Sequence, residues 1–356
     1  MKAEKDKKTG KWLIQFRYTD WQGVRRKTTK RGFATKREVE EYVRNFLASQ
    51  QADFFNMNFQ EFLKLYYDDM TPRLRENTMR NKKYIIDLKI LPYFSNRRMN
   101  GITAADIRKW QNELISQGYS QTYLRIINNQ LTAIFNYAVR YYDLQNNPCR
   151  KAGGMGKNKA DEMKFWTKDE FYKFIDSIMD KQKSYAAFMA LFWTGMRLGE
   201  LLALTPADID FENKTISISK SYQRLDGKDV ITLPKTPKSK RTITVPDFLL
   251  ADLKDYMNSI YCLEDTDRLF QVTKYFMEHE MQRGIKNSGV KRIRIHDIRH
   301  SHCALLFEMG ITPLEVADRL GHERVETTMN IYAHIYPNKQ RALSDKLEKV
   351  YREDLQ

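Results

Sequence analysis

Six side chains, far apart in the chain, are of types that could act together on an anionic substrate. Arg197 sits between glycines in Thr194-Gly195-Met196-Arg197-Leu198-Gly199-Glu200, and Lys235 lies in the basic stretch Leu233 to Arg241. His296 and Arg299 are three apart in His296-Asp297-Ile298-Arg299, which puts both on one face of a helix. His322 follows Leu320-Gly321, and ten residues on Tyr332 stands in Met329-Asn330-Ile331-Tyr332-Ala333-His334. Guanidiniums are planar forks that bind oxyanions with paired hydrogen bonds, imidazoles and amines carry protons, and a phenol can act as a nucleophile. Each residue alone has an ordinary explanation. Arg197 could simply pair with Glu200, and His322 could cap a helix. Lys235 competes with Lys238 and Lys240, and Tyr332 is one of 20 tyrosines. The group His296, His300 and His302 suggests a metal, but no cysteine or carboxylate completes a ligand set, so neither metal nor cofactor is expected.

The elements that must hold these residues fall into a mixed C-terminal region. Thr167 and Glu170 form a capping box that opens it, so this region is expected over 163–356. Helices are expected near 168–180, 184–194, 198–204, 247–260, 272–287, 297–309 and 313–320, and past Thr327. Strands are expected at 215–219, 230–233 and 241–245, with Lys235 at a hairpin tip between the last two. Leu343, Leu347, Val350 and Tyr351 recur at helical spacing, which predicts an amphipathic tail helix that needs a partner.

Upstream, residues 58–145 read as a purely helical bundle. Its apolar stripes are Phe59, Phe62, Leu63 and Tyr66; Tyr84, Ile85, Leu88 and Leu91; Ile107, Trp110, Leu114 and Ile115; and a long fourth from Tyr123 to Ala138. Residues 146–162, rich in Gly, Asn and Lys, read as a linker whose Lys157 and Lys159 suit a duplex backbone. In residues 1–55, Trp12, Ile14, Phe16 and Tyr18 alternate with polar positions, which predicts a strand in a small three-stranded sheet. One helix, capped by Thr35 and Glu38, backs it. Its outer face would carry Arg17, Arg25 and Lys27, and a sheet can enter a major groove.

Charge supports such contacts. The chain has 61 Lys+Arg against 45 Asp+Glu, a net +16, and residues 1–50 alone hold 14 against 6. A surplus of this size on a globular chain favours nucleic acid. The basic N-terminus has no apolar run after it, so no secretory leader and no membrane partner are expected, and a cytoplasmic location is. Three separated cysteines argue against a disulfide framework.

In this order and spacing, the set Arg197, Lys235, His296, Arg299, His322 and Tyr332 resembles the active-site signature of tyrosine recombinases, including phage and conjugative-element integrases. The stretches TGMRLGELLAL, HDIRHSHCALLFEMG and LGHERVETTMNIYAH carry the likeness. The resemblance implies a multidomain, mainly α chain with small β-sheets. An α+β catalytic domain would follow a helical core-binding domain and a small sheet-plus-helix arm-binding domain. It implies a site-specific recombinase acting on double-stranded DNA at attachment sites. Arg197 and Arg299 would clamp the phosphate, Tyr332 would attack to form a 3′-phosphotyrosyl link, and His296 would help deprotonate it or bind a phosphate oxygen. Lys235 would protonate the departing 5′-oxygen, and His322 would hydrogen-bond a phosphate oxygen. Lys82 and Lys83 are further expected DNA contacts. A tetramer on DNA, tail exchange between subunits, and DNA-bending or excision factors are the partners it implies. A resolvase-type recombinase, a topoisomerase-like relaxer and a non-catalytic DNA-binding protein are the alternative readings.

Overall fold

A computed structural model describes residues 3–5, 9–19, 25–55, 57–157, 163–234, 236–335 and 351, with the backbone alone at 19, 47–55, 332, 334 and 335. The chain divides into two compact units, Met1–Ala160 and Asp161–Gln356.

The first unit begins with an antiparallel sheet of β1 (Ala3–Lys5), β2 (Trp12–Thr19) and β3 (Arg25–Phe33) in the order β1-β2-β3. Alternation does its work here: Ile14 and Phe16 are buried with Val39 of α1 (Lys36–Phe55), and Trp12, Tyr18, Val43 and Phe46 pack around them. The expected cap is present in part: Thr35 Oγ1 accepts from the Glu38 amide, while the Glu38 carboxylate accepts from the Ala34 amide, one residue before the position a capping box uses.

A helical bundle follows, made of α2 (Phe59–Met70), α3 (Glu76–Lys89), the single turn α4 (Leu91–Phe94), α5 (Ala104–Ser116), α6 (Gln121–Tyr141) and α7 (Pro148–Ala152). Thr103 and Asp106 box the start of α5, and the Ser120 side chain caps α6. Two expectations differ from the structure. In α3 the buried positions are Met79 and Ile86, followed by Ile90, while Tyr84 and Leu88 face solvent at 64% and 49% exposure. The run Tyr84-Ile85-Ile86 offers two apolar stripes, and the tertiary contact selects the one in phase with Met79 and Ile90. The stretch expected to be a linker is folded as far as Lys157. Asn147 donates to Thr132 O and Asn136, Gln111 donates to Gly153 O, and Cys149, Ala152 and Met155 join the bundle core. Gly156, at φ +78, lies so close to α6 that a Cβ there would meet Gln121 O at 2.1 Å.

The second unit is α+β. Helices α8 (Lys168–Asp176), α9 (Gln182–Thr194) and α10 (Leu198–Leu201) precede a three-stranded antiparallel sheet, β4 (Ile209–Asp210), β5 (Thr215–Ile218) and β8 (Arg241–Thr244). A separate hairpin pairs β6 (Ser221–Leu225) with β7 (Lys228–Thr232). Its turn is Asp226-Gly227, both residues at positive φ, which is the chemistry a two-residue hairpin turn demands. The expectation that Lys235 sits at a hairpin tip is therefore corrected. The strands on either side, β7 and β8, lie in different sheets and do not pair, Pro237–Ser239 form a 3-10 turn, and Lys235 itself lies outside the described residues. Helices α11 (Asp247–Asn258), α12 (Lys274–Ser288), α13 (Ile295–Glu308), α14 (Pro313–Leu320) and α15 (Val325–Ile335) complete the unit. Helix α9, apolar nearly all round, is buried on most sides, which fits its place at the centre of the core. The expected tail helix falls almost wholly outside the described residues.

Candidate active site

Three helix ends and one short strand bring four of the six predicted residues together, Arg197, His296, Arg299 and His322. Helix α9 ends at Gly195 in the left-handed conformation (φ +64), and α14 ends at Gly321 likewise (φ +67). A side chain at either position would collide. A Cβ on Gly195 would lie 2.5 Å from His302 Cδ2, and one on Gly321 would lie 2.7 Å from Lys238 O. These two glycine turns aim carbonyl groups inward. Arg299, on α13 and only 3% exposed, donates from Nη1 to Gly195 O at 2.8 Å and from Nη2 to Leu320 O at 2.7 Å. The negative ends of two helices thus hold one guanidinium. Burial, then the cations Arg197 and Arg241, lower its pKa to about 9, so it stays charged at neutral pH.

Arg197 precedes α10 and is held differently. Glu200, one turn on and 4% exposed, accepts from the Arg197 amide at 2.9 Å and from its Nη1 at 2.7 Å. Arg241 of β8 donates to the same carboxylate from Nη2 at 3.0 Å and to Arg319 O from Nε at 2.9 Å. Burial would raise the Glu200 pKa, but Arg241 and Arg197 outweigh it and hold the carboxyl below its ordinary range. Part of the Arg197 fork stays open to solvent, its side chain being 37% exposed.

His296 stands in the first turn of α13, its ring edge against His300 at 5.3 Å between centroids. Burial, then Arg299, push its pKa below the ordinary imidazole value. His322 donates its backbone amide to Ala317 O, and its ring Nδ1 lies 2.7 Å from Thr328 Oγ1 on α15. Burial, Arg299, Arg197 and His300 lower its pKa to about 3, so the ring is neutral. His296 and His322 therefore each lie within reach of the charges of Arg299 and Arg197. Tyr332 is on α15, one turn beyond Thr328, while its phenol lies outside the described residues. Helix α15 is seated on α13 and α14 through Ile331, which joins Cys303, Phe307, Val316 and Leu320 in a small core.

Sequence reasoning missed Arg241, Arg319 and Thr328. Arg319 donates from Nε to His302 Nε2 at 3.3 Å and from Nη1 to Thr244 O at 3.1 Å, which ties α14 to α13 and β8. His302 is buried and neutral, its pKa lowered to about 3 by burial and then by Arg319. No residue group among those described forms a metal site.

Of the expected DNA contacts, Arg17, Lys27 and Arg25 share one face of the N-terminal sheet. Arg17 lies opposite Lys27, Thr19 lies opposite Arg25, and all three basic side chains are exposed. Lys82 is engaged internally: its ammonium donates to Tyr66 Oη and Gln130 Oε1 at 2.7 Å each, and burial lowers its pKa. Lys83 lies over the Tyr67 ring at 5.2 Å. Lys157 is exposed, and Lys159 lies outside the described residues.

Residues 164–339 match the profile of the phage integrase family, 58–115 that of the phage integrase N-terminal SAM-like domain, and 3–50 that of an arm DNA-binding domain. The chain is 33% identical to the ICEBs1 integrase of Bacillus subtilis (strain 168) over 317 residues, covering 83% of this chain and 84% of the relative. It is 27% identical to the integrase of Staphylococcus phage L54a, over 89% and 99% of the two chains. In fold it is similar to the Tn1549 transposon integrase in complex with a circular intermediate DNA, with a TM-score of 0.68 at 22% identity over 80% and 99%. A lambda integrase tetramer bound to a Holliday junction gives 0.61 at 17% identity, over 92% and 91%.

Proposed function

Because the chain belongs to the phage integrase family of tyrosine recombinases and is a site-specific integrase, we propose that it exchanges DNA strands through a 3′-phosphotyrosyl intermediate on Tyr332. The observation that carries this reading is the meeting of Arg197, Arg299, His296 and His322 beside the helix that bears Tyr332.

A phosphodiester is a poor electrophile because its own anionic oxygens repel a nucleophile. Arg299 presents the rest of its carbonyl-anchored fork, and Arg197 the open part of its own, to the nonbridging oxygens. They neutralise the charge that gathers as phosphorus becomes five-coordinate. A phenol of pKa about 10 needs a base at neutral pH. His296, neutral because burial and Arg299 disfavour its cation, takes that proton. The Tyr332 oxygen bonds to phosphorus as the bond to the 5′-oxygen breaks, and Lys235 supplies the proton that leaves a 5′-hydroxyl. Neutral His322 donates one hydrogen bond to a nonbridging oxygen. The tyrosyl ester keeps the bond energy, so another strand's 5′-hydroxyl reverses the step without a nucleotide cofactor.

Residues 1–55 contact arm-type sites through the Arg17, Arg25 and Lys27 face, 58–145 grips core-type sites, 146–162 connects them to the catalytic region 163–356, and Lys83, Lys157 and Lys159 meet phosphates. The internal bonds of Lys82 make it a support for the bundle rather than a phosphate contact. Four chains act on two duplexes, with the tail beyond α15 exchanged between them and DNA-bending or excision factors assisting, in the cytoplasm of a bacterial host. No helix among the described residues is long and apolar enough to cross a membrane.

A nicked suicide substrate tests the chemistry. The parent chain should form a covalent protein–DNA adduct, and Tyr332→Phe should bind DNA and form none. An adduct from Tyr332→Phe overturns the assignment. Removing residues 1–55 should abolish recombination of arm-bearing sites and spare adduct formation on core sites.

A further inference from the structure

We propose that Thr328 is a positioning residue for His322: its hydroxyl donates to Nδ1 and so holds the imidazole as the tautomer whose hydrogen is on Nε2. The proposal rests on the reading of His322 as a phosphate donor.

A neutral imidazole has one N–H and one lone pair, and the hydrogen bond at one nitrogen decides which is which. Here Nδ1 is occupied by Thr328 Oγ1 at 2.7 Å. Among the described residues nothing hydrogen-bonds the other ring nitrogen, Nε2, which is left for a ligand. The strongest charges on the ring are the guanidiniums of Arg299 and Arg197, so the ligand that belongs beside it is an anionic oxygen. Such an oxygen only accepts. Nε2 can serve it only with a hydrogen in place, and then Nδ1 must accept from the threonine.

Thr328 is suited to this. It is 0% exposed, so water does not compete for its hydroxyl. A helical threonine commonly bonds back to its own preceding turn, but this hydroxyl reaches across to the residue after Gly321. The left-handed turn at Gly321 and the His322 amide bond to Ala317 O fix the other partner. The bond also joins two elements. Thr328 rides on α15 one turn before Tyr332, with Ile331 between them buried against α13 and α14. The helix that delivers the nucleophile therefore also sets the tautomer of a residue outside it, and His322 is a donor when α15 is seated.

The test uses the full chain in single-turnover adduct formation on the nicked substrate at saturating DNA. Thr328→Val keeps the branched shape and removes the hydroxyl. It should slow adduct formation on the order of 10- to 100-fold, the range seen when a metal-bound imidazole loses its orienting partner, with DNA affinity and melting temperature near those of the parent. Thr328→Ser should restore the rate to within about threefold, and Thr328→Val added to His322→Ala should cost less than about twofold more, since groups acting as a unit are not additive. A parental rate for Thr328→Val overturns the proposal, as does an undiminished cost in the His322→Ala background or a failure of serine to rescue. If the parent chain itself forms no adduct, the recombinase reading falls first and this proposal with it.

Discussion

Replacing Glu200 by glutamine removes one charge and almost no volume, so its effect isolates what the carboxylate does. The group is 4% exposed and accepts from the Arg197 amide, the Arg197 side chain and the Arg241 side chain at 2.7 to 3.0 Å. Breaking a buried ion pair from one side costs about 3–5 kcal/mol, because the partner is left charged and dry. Arg241, 7% exposed, incurs that cost nearly in full, whereas Arg197 is 37% exposed and solvent relieves it. The glutamine oxygen still accepts one bond, so a net loss of about 2–4 kcal/mol is expected. For a unit the size of 161–356 this lowers the melting temperature by about 5–15 °C. The pH dependence has a definite sign. Neighbouring cations depress the folded pKa, so the stabilisation is present above the unfolded value of 4.5 and is lost as pH falls through the lower folded value. Thermal melts followed by circular dichroism at pH 7 and pH 4 measure both. A Glu200→Gln chain that melts within 1–2 °C of the parent at pH 7 (about the 0.5 kcal/mol of an ordinary surface change), or a deficit that widens in acid, refutes the reasoning.

Three other outcomes follow from the geometry. Gly321→Ala forces a Cβ to 2.7 Å from Lys238 O at φ +67, and should cost about 1–3 kcal/mol in urea unfolding, whereas Gly310→Ala, with open space around it, should show the left-handed penalty alone. His300, His302 and His322 have folded pKa values of about 4, 3 and 3, each lowered first by burial, against 6.5 unfolded, so the unfolded chain binds more protons in between; stability should fall as pH drops below about 6.5, by up to roughly 1.4 kcal/mol per pH unit per histidine, and equal urea midpoints at pH 7 and pH 5 would exclude it. Replacing Arg17 and Lys27 together by alanine should reduce the salt slope of arm-site binding by about 1 to 2, as expected for two lost phosphate contacts, with no change on core sites; an unaltered slope would move the contact surface elsewhere.

What was legible in the chain depended on whether a single local rule applied. The caps at Thr35 and Thr167 are local, and each opens a helix at the predicted residue. The glycines around Arg197 and before His322 were legible as a pattern, and the structure supplies the cause: left-handed turns at Gly195 and Gly321, and close packing of the helical Gly199 against Ser221, none with room for a side chain. Asp226-Gly227 was equally legible as a hairpin turn, yet the basic run 233–241 drew the hairpin to the wrong place and β6 was missed. Arg241 and Thr328 were beyond local rules. An arginine opening a strand and a threonine on an amphipathic helix look like surface residues until tertiary packing buries them. The two possible stripes of α3 posed the same problem in milder form, since only the facing helices decide between them.

The way Arg299 and Arg197 are anchored has an electrostatic consequence. Arg299 is held by neutral carbonyls and keeps its whole charge, and the strongest ionic neighbours it feels are two further guanidiniums, Arg197 and Arg241, and one carboxylate, Glu200. With its imidazoles neutral, that inner group carries a surplus of two positive charges. A resting phosphodiester brings a single negative charge to this positive group, whereas a five-coordinate phosphorane brings two, and the surplus holds the second more strongly than the first. On the proposed mechanism the protein is thus matched to the fleeting species and not to the DNA it first meets, which is where rate acceleration originates.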